Sequence, residues 1–233
     1  MDKLATVPPL SASRSRAGTP AVFDVLREEI IALTLAPGAV LSRPDLQARF
    51  GVSSTPIRDA LSRLDEEGLV RIFPQRATIV SPIDLSHARQ GQFLRRAVEV
   101  EIARTLAAKP DQALIETLRS IIRQQAAFAE LGEFELFTQL DQEFHRRQYA
   151  AADVLDLWHL VRRQGGHIDR LRRLHLPVPG KRADILRDHA AIVGAIATGD
   201  PDGAEAEVRG HLSRSLDFIE TLRESHPDYF GQP

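Results

Sequence analysis

The chain has 233 residues and a mass of 25.9 kDa, room for one large domain or two small ones. Hydrophobic residues at 43% and charged residues at 27% exclude wholesale disorder, and a net charge of -2 excludes coating nucleic acid by bulk charge. Cysteine is absent and aromatics are only 6%, which removes disulfides, thiolate metal sites and broad base-stacking platforms.

Residues 1–19, rich in Pro, Ser and Ala without periodicity, predict a disordered tail. They contain no apolar core of a signal peptide, and the longest apolar runs, such as Ile30-Ile31-Ala32-Leu33, fall far short of a membrane span. A cytoplasmic protein with no membrane partner is expected.

Residues 20–80 predict three helices and a hairpin. Val22, Val25, Leu26, Ile30 and Leu33 recur at helical spacing over Ala21–Leu35, ended by Pro37-Gly38. A short helix begins at Pro44, capped by Ser42, and ends at Gly51. A third runs from Ser54 to Glu67, burying Ile57, Leu61 and Leu64. Residues 69–73 and 77–80 alternate as strands around a turn at Pro74-Gln75-Arg76. The order helix, helix-turn-helix, hairpin predicts a winged helix.

In such a unit the third helix enters the major groove and the hairpin touches the adjacent backbone. Ser53, Ser54 and Thr55 place hydroxyls at a helix start, where phosphate is favoured. Arg58 can reach a guanine edge, Arg63 a phosphate, and Arg76 at the wing tip phosphate or the minor groove. The alternative is that the hydroxyls only cap the helix, that the arginines pair with Asp59, Asp65 or Glu66, and that the winged helix binds protein.

The stretch GVSSTPIRDALSRLDEEGLV resembles the DNA-binding domain of the GntR family of bacterial transcription regulators. Ser53, Pro56, Arg58, Ala60, Leu61, Leu64, Glu67, Gly68 and Leu69 match its signature. The resemblance implies binding to double-stranded DNA as a homodimer on a pseudo-palindromic operator, with repression the commoner outcome. Three positions depart from it. Ser54 stands where the family usually has a DNA-reading arginine, Arg43-Pro44 replaces a usual Glu-Arg pair, and Ala77 replaces the wing glycine.

Residues 81–85 read as a linker, and 86–225 as helices throughout: Ser86–Ala108, Asp111–Leu131, Glu133–Ala151, Val154–Leu174, Arg182–Thr198 and Pro201–Ser225. The fold class is therefore mainly α: a winged helix-turn-helix with a small β-hairpin, followed by an antiparallel helical bundle and a C-terminal tail, 226–233. All eight histidines lie at or beyond His87. Asp141 and His145, four apart, project from one helix face, and His189 and His211 sit within apolar stripes of two others. They can surround a divalent metal, or be four unrelated polar residues satisfied by hydrogen bonds.

The bundle is similar to the ligand-binding domain of FadR-type GntR regulators. Matching positions are Arg95-Arg96-Ala97-Val98-Glu99, Asp141-x3-His145, His189 before Ile192, Gly199-Asp200, Ala204 and Arg209-x-His211-Leu212. In metal-binding members of that family these positions supply one Asp and three His ligands. That implies a divalent cofactor at Asp141, His145, His189 and His211, with zinc the first choice and nickel or manganese also suited. A small carboxylate effector is expected beside it, clamped by Arg95, with His167 and Arg170 as further lining residues. An ion pair of Arg95 with Glu99 is the alternative for that arginine. The expected activity is regulation rather than catalysis; a direct metal sensor and a metal-dependent hydrolase are the rival readings.

Overall fold

The computed structural model describes residues 19–214 and 218–231, so the tail expected at 1–19 lies outside the described residues except for Thr19. The chain divides into two compact units. One reaches Asp84 and takes in the segment from His226; the other is Leu85–Ser225.

The first unit holds α1 (Thr19–Ile31), α2 (Arg43–Phe50), α3 (Ser54–Glu66), β1 (Val70–Phe73) and β2 (Ala77–Val80). Its core joins Val22, Leu26 and Ile30 of α1 to Leu46 of α2, Ile57, Leu61 and Leu64 of α3, and Val70 and Val80 of the hairpin. Each such side chain contributes about 1.5–3 kcal/mol on burial. The helix expected to run to Leu35 stops at Ile31. Leu33 turns the chain at φ 63°, and the Leu35 N–H donates to the Glu29 carbonyl at 3.0 Å, which carries Leu35 into the core. The turn between α2 and α3 is as tight as predicted: Ser42 accepts from the Asp45 N–H, and Gly51 closes α2 at φ 65°. Buried Arg27 donates to Glu67 at 2.7 Å and ties α1 to the end of α3. The strands pair antiparallel, Val70 opposite Val80 and Phe73 opposite Ala77.

Part of the expected C-terminal tail, 226–233, packs within this unit. Pro227–Tyr229 form a 3-10 turn, the Ile83 N–H donates to the Tyr229 carbonyl at 2.8 Å, and Phe230 bridges Ile83 in parallel. Burial of Ile83 accounts for the pairing, because its backbone polar groups then require partners.

The second unit is all helix among its described residues: α4 (Leu85–Ala108), α5 (Gln112–Leu131), α6 (Phe134–Ala151), α7 (Leu155–Gln164), α8 (Gly166–His175), α9 (Lys181–Thr198), α10 (Pro201–Ser213) and α11 (Ile219–Ser225). Two expected helices are each divided. The one over Val154–Leu174 breaks at Gly165, and that over Pro201–Ser225 ends its first part at Ser213. The first break lies tight against α4. Gly91 of α4 approaches so closely that a Cβ there would lie 2.5 Å from the Gln164 carbonyl oxygen. The core runs through Ile102, Leu106, Leu118, Phe144, Val161, Ile192, Ile196, Val208 and Leu212. No helix among the described residues is long and apolar enough to cross a membrane.

Candidate metal centre and nucleic-acid interface

In the first unit the expected DNA-facing residues lie at the surface. Ser53 caps α3 by position but makes no side-chain cap hydrogen bond, so its hydroxyl is not consumed in closing the helix. Ser54, Thr55 and Arg76 are exposed. The Arg58 side chain is 66% exposed, with Asp59 at 3.7 Å as a loose partner. Arg63 differs: its guanidinium lies 3.6 Å over the Phe23 ring centroid, giving it a packing role on α1. Ser42, Arg43, Phe73, Gln75 and Arg76 line a groove of about 300 Å³ between the start of α2 and the wing. Arg43, noted in the sequence only as a departure from the family pattern, thus joins Arg76 on one surface.

In the second unit the side chains of His145 (α6), His189 (α9) and His211 (α10) converge. All three are buried, and one ligand nitrogen from each lies within 4.8 Å of the others. Each ring is held from behind by its Nδ1. His145 Nδ1 lies 3.0 Å from Glu99 Oε2, His189 Nδ1 3.1 Å from Gln125 Oε1, and His211 Nδ1 3.4 Å from Asp188 Oδ2. The Gln125 amide is oriented by its Nε2, which donates to the Phe137 carbonyl, so its oxygen faces His189. Oxygens of this kind only accept, so Nδ1 of each ring carries a proton and Nε2 is the nitrogen left to ligate. His145 Nε2 and His189 Nε2 are buried without a hydrogen-bond partner among the described residues.

Asp141 stands beside this trio rather than inside it. Its Oδ1 is 3.6 Å from His189 Nε2, too long for a hydrogen bond, and has no partner among the described residues. Its Oδ2 accepts from Arg172 at 2.5 Å. Three clustered imidazoles and one unpartnered carboxylate oxygen form an N/O donor set that fits a divalent ion.

The electrostatics keep the donors in ligating form. Burial pushes the His189 imidazole well below its ordinary value and His211 down to about 4, so both are neutral at pH 7. Burial works against ionisation of Asp141, but the Arg172 guanidinium outweighs it and holds the carboxyl well below its usual range. Glu99 is likewise depressed against the effect of burial, by Arg95 and His145.

A cavity of about 20 Å³, room for one or two waters, adjoins the centre. Arg95, Arg162, Arg172, Asp141, His145 and Trp158 are among its walls. Arg95 lines the cavity and donates to Glu99 at 2.7 Å. His167 and Arg170 do not line this cavity. Both are buried, with Arg170 Nη2 2.9 Å from His167 Nδ1. Arg162 and Arg172 occupy the wall instead. The i, i+3 pair Asp169/Arg172 was the legible signal, hidden within a basic run that reads as a solvated face.

A winged helix joined to a helical unit with a buried polar centre defines a two-part DNA-binding regulator. Family comparison agrees: residues 19–80 match the bacterial regulatory proteins of the gntR family, and 92–214 match the FCD domain. The chain belongs to the GntR family, in its FCD-containing branch, and is a transcription regulator rather than an enzyme. It is 35% identical to an HTH-type transcriptional regulator in an unstable DNA locus of Streptomyces ambofaciens, over 95% of this chain and 93% of that one. It is 29% identical to the HTH-type transcriptional repressor RspR of Escherichia coli, over 91% and 92%. Among solved structures, E. coli McbR/YncC superposes with a TM-score of 0.74 at 17% identity, over 89% of this chain and 98% of that one, a likeness of fold.

Proposed function

We propose that this regulator is a homodimeric repressor whose bundle holds a divalent metal on Asp141, His145, His189 and His211 and senses a small organic acid beside it. The observation that carries the reading is the shared orientation of three histidines. All are anchored through Nδ1 to an acceptor, and one nitrogen of each lies within 4.8 Å of the others. The Nε2 atoms of His145 and His189 and Asp141 Oδ1 are buried without a partner among the described residues. Zinc suits this donor set best, and nickel or manganese also suit it. Bound metal would supply positive charge and open coordination positions to a carboxylate. The protein supplies Arg95, Arg162 and Arg172 around the same cavity and the apolar wall of Trp158 and Val161.

At the other end, Ser53, Ser54, Thr55, Arg58 and Arg76 would read a pseudo-palindromic operator, one half-site per protomer. Arg63 would contact the backbone from its seat on Phe23. Repression is supported by two relatives, the transcriptional repressor RspR and a probable D-xylose utilization operon transcriptional repressor of Paenarthrobacter nicotinovorans. An acid that prefers one arrangement of the protein would change operator affinity about 5- to 150-fold for a coupling of about 1–3 kcal/mol.

A thermal-shift screen of small hydroxy acids, sugar acids and dicarboxylates on zinc-loaded protein tests the effector half. A ligand at a hundred times its dissociation constant adds about 2.7 kcal/mol. The narrowness of the cavity favours one second reading, a direct metal sensor. Operator affinity that follows zinc occupancy and ignores every acid would select it.

A further inference from the structure

Asp141 is used unequally by its surroundings. Oδ1 faces His189 without a partner among the described residues, while Oδ2 is taken by Arg172 at 2.5 Å. Arg172 is not a loose surface cation. Its other arm lies 3.6 Å from Asp169 Oδ1, and Asp169 Oδ2 accepts from Arg162 at 2.6 Å. The chain Asp141–Arg172–Asp169–Arg162 thus runs from the histidine cluster to the α7–α8 break, where Gly91 packs against the Gln164 carbonyl. Arg172 is fixed at both ends, and its positive charge is held against the one carboxylate of the donor set.

A guanidinium in that position acts on a dication in two ways. It occupies one of the two oxygens that would otherwise stabilise the ion, and it repels the ion across a few ångströms of poorly screened interior. We infer that Arg172 is a brake on metal binding, competing with the metal for Asp141. An anion that pairs with Arg172 then releases the brake, so a carboxylate ligand and the metal bind with positive cooperativity. By linkage each strengthens the other by the same factor. This rests on the metal reading given above and adds to it the regulation of that site.

The test is zinc affinity, measured by competition with a coloured chelator, for wild type, Arg172→Gln and Arg172→Lys. Gln removes the charge but can still donate to Asp141; Lys keeps the charge. Arg172→Gln is expected to bind zinc on the order of tenfold more tightly than wild type, for loss of one nearby unit charge. Arg172→Lys is expected to stay close to wild type. Acetate, the simplest carboxylate, should tighten zinc binding by a larger factor in wild type than in Arg172→Gln. Equal or weaker zinc binding by Arg172→Gln, with wild type loading normally, overturns the brake and leaves the metal centre standing. Equal acetate factors in the two proteins overturn the cooperativity. A wild type that takes up no zinc overturns the metal reading and the brake together. If Arg172→Gln does not fold, Arg172→Lys decides: a large change in zinc affinity with the charge retained contradicts an electrostatic brake.

Discussion

His189 Nδ1 lies 3.1 Å from the amide oxygen of Gln125, and this contact between α9 and α5 decides which ring nitrogen faces the other two histidines. The oxygen can only accept, so Nδ1 keeps the proton and Nε2 turns a lone pair inward. Replacing Gln125 with Leu removes the acceptor and frees the tautomer. Zinc affinity should fall about 10- to 100-fold, the usual effect of losing a partner behind a metal-ligating histidine. A chelator-competition titration reads this directly; unchanged affinity would show that the amide does not set the ring.

The DNA surface predicts a division of labour among arginines. Arg58 is exposed on α3, Arg76 is exposed on the wing, and Arg63 is stacked on Phe23. Arg58→Ala should lose about 1–3 kcal/mol of operator affinity and relax specificity at one position, whereas Arg76→Ala should weaken all sequences and lower the salt slope by about one. Arg63→Ala should lower the thermal midpoint as well, which neither of the others does. Binding isotherms at several salt concentrations, with melting curves, separate the three.

Two glycines on neighbouring helices should respond with opposite sign. A Cβ at Gly91 would meet the Gln164 carbonyl oxygen at 2.5 Å, while one at Gly194 in α9 meets nothing within 4 Å. Gly91→Ala should cost about 1–3 kcal/mol by forcing α4 away from the α7–α8 break. Gly194→Ala should stabilise by about 0.4–1 kcal/mol through reduced freedom of the unfolded chain. Urea denaturation of the two variants side by side tests both.

That break also marks where the sequence stops being legible. The winged helix could be read because its punctuation is local: Ser42 before Pro44, Gly51 closing α2, and alternation in the hairpin. The Gly165-Gly166 pair is equally local, but apolar periodicity continues through it from Trp158 to Leu171, and the close approach of Gly91 to the Gln164 carbonyl at the break has no local signature. The same holds within the site. Asp141 and His145 announce themselves four apart on one helix, and His189 and His211 stand out in apolar stripes. Glu99, Gln125 and Asp188 carry no sequence signal as partners, because tertiary packing alone brings each to its histidine. Arg172 was hidden for another reason: a run of arginines reads as a wet face until the partner of each is known.

Acid should destabilise the metal-free protein in two stages. Burial, reinforced by the Lys181 ammonium, pushes His175 down to about 4, and burial pushes His211 to about 4 against the pull of Asp188. Both titrate near 6.5 when unfolded, so the unfolded state takes up protons first as the pH falls. Stability from burying them neutral is complete above about 6.5 and is lost progressively between 6.5 and 4. The depressed carboxyls of Glu99, Asp141 and Asp188 add their loss only below about 4.5. Thermal midpoints in chelator across this range should fall in that order. His175→Leu should flatten the first stage, and an unchanged slope in that variant would contradict the assignment.

The central claim is that three buried imidazoles and Asp141 form one metal centre. Zinc stoichiometry after reconstitution and dialysis, measured by elemental analysis on wild type and on His189→Ala/His211→Ala, tests it most directly. The account predicts one zinc per wild-type chain and none in the double variant, with helical content by circular dichroism largely retained in both. Full zinc stoichiometry in the double variant, or none in wild type, would contradict it.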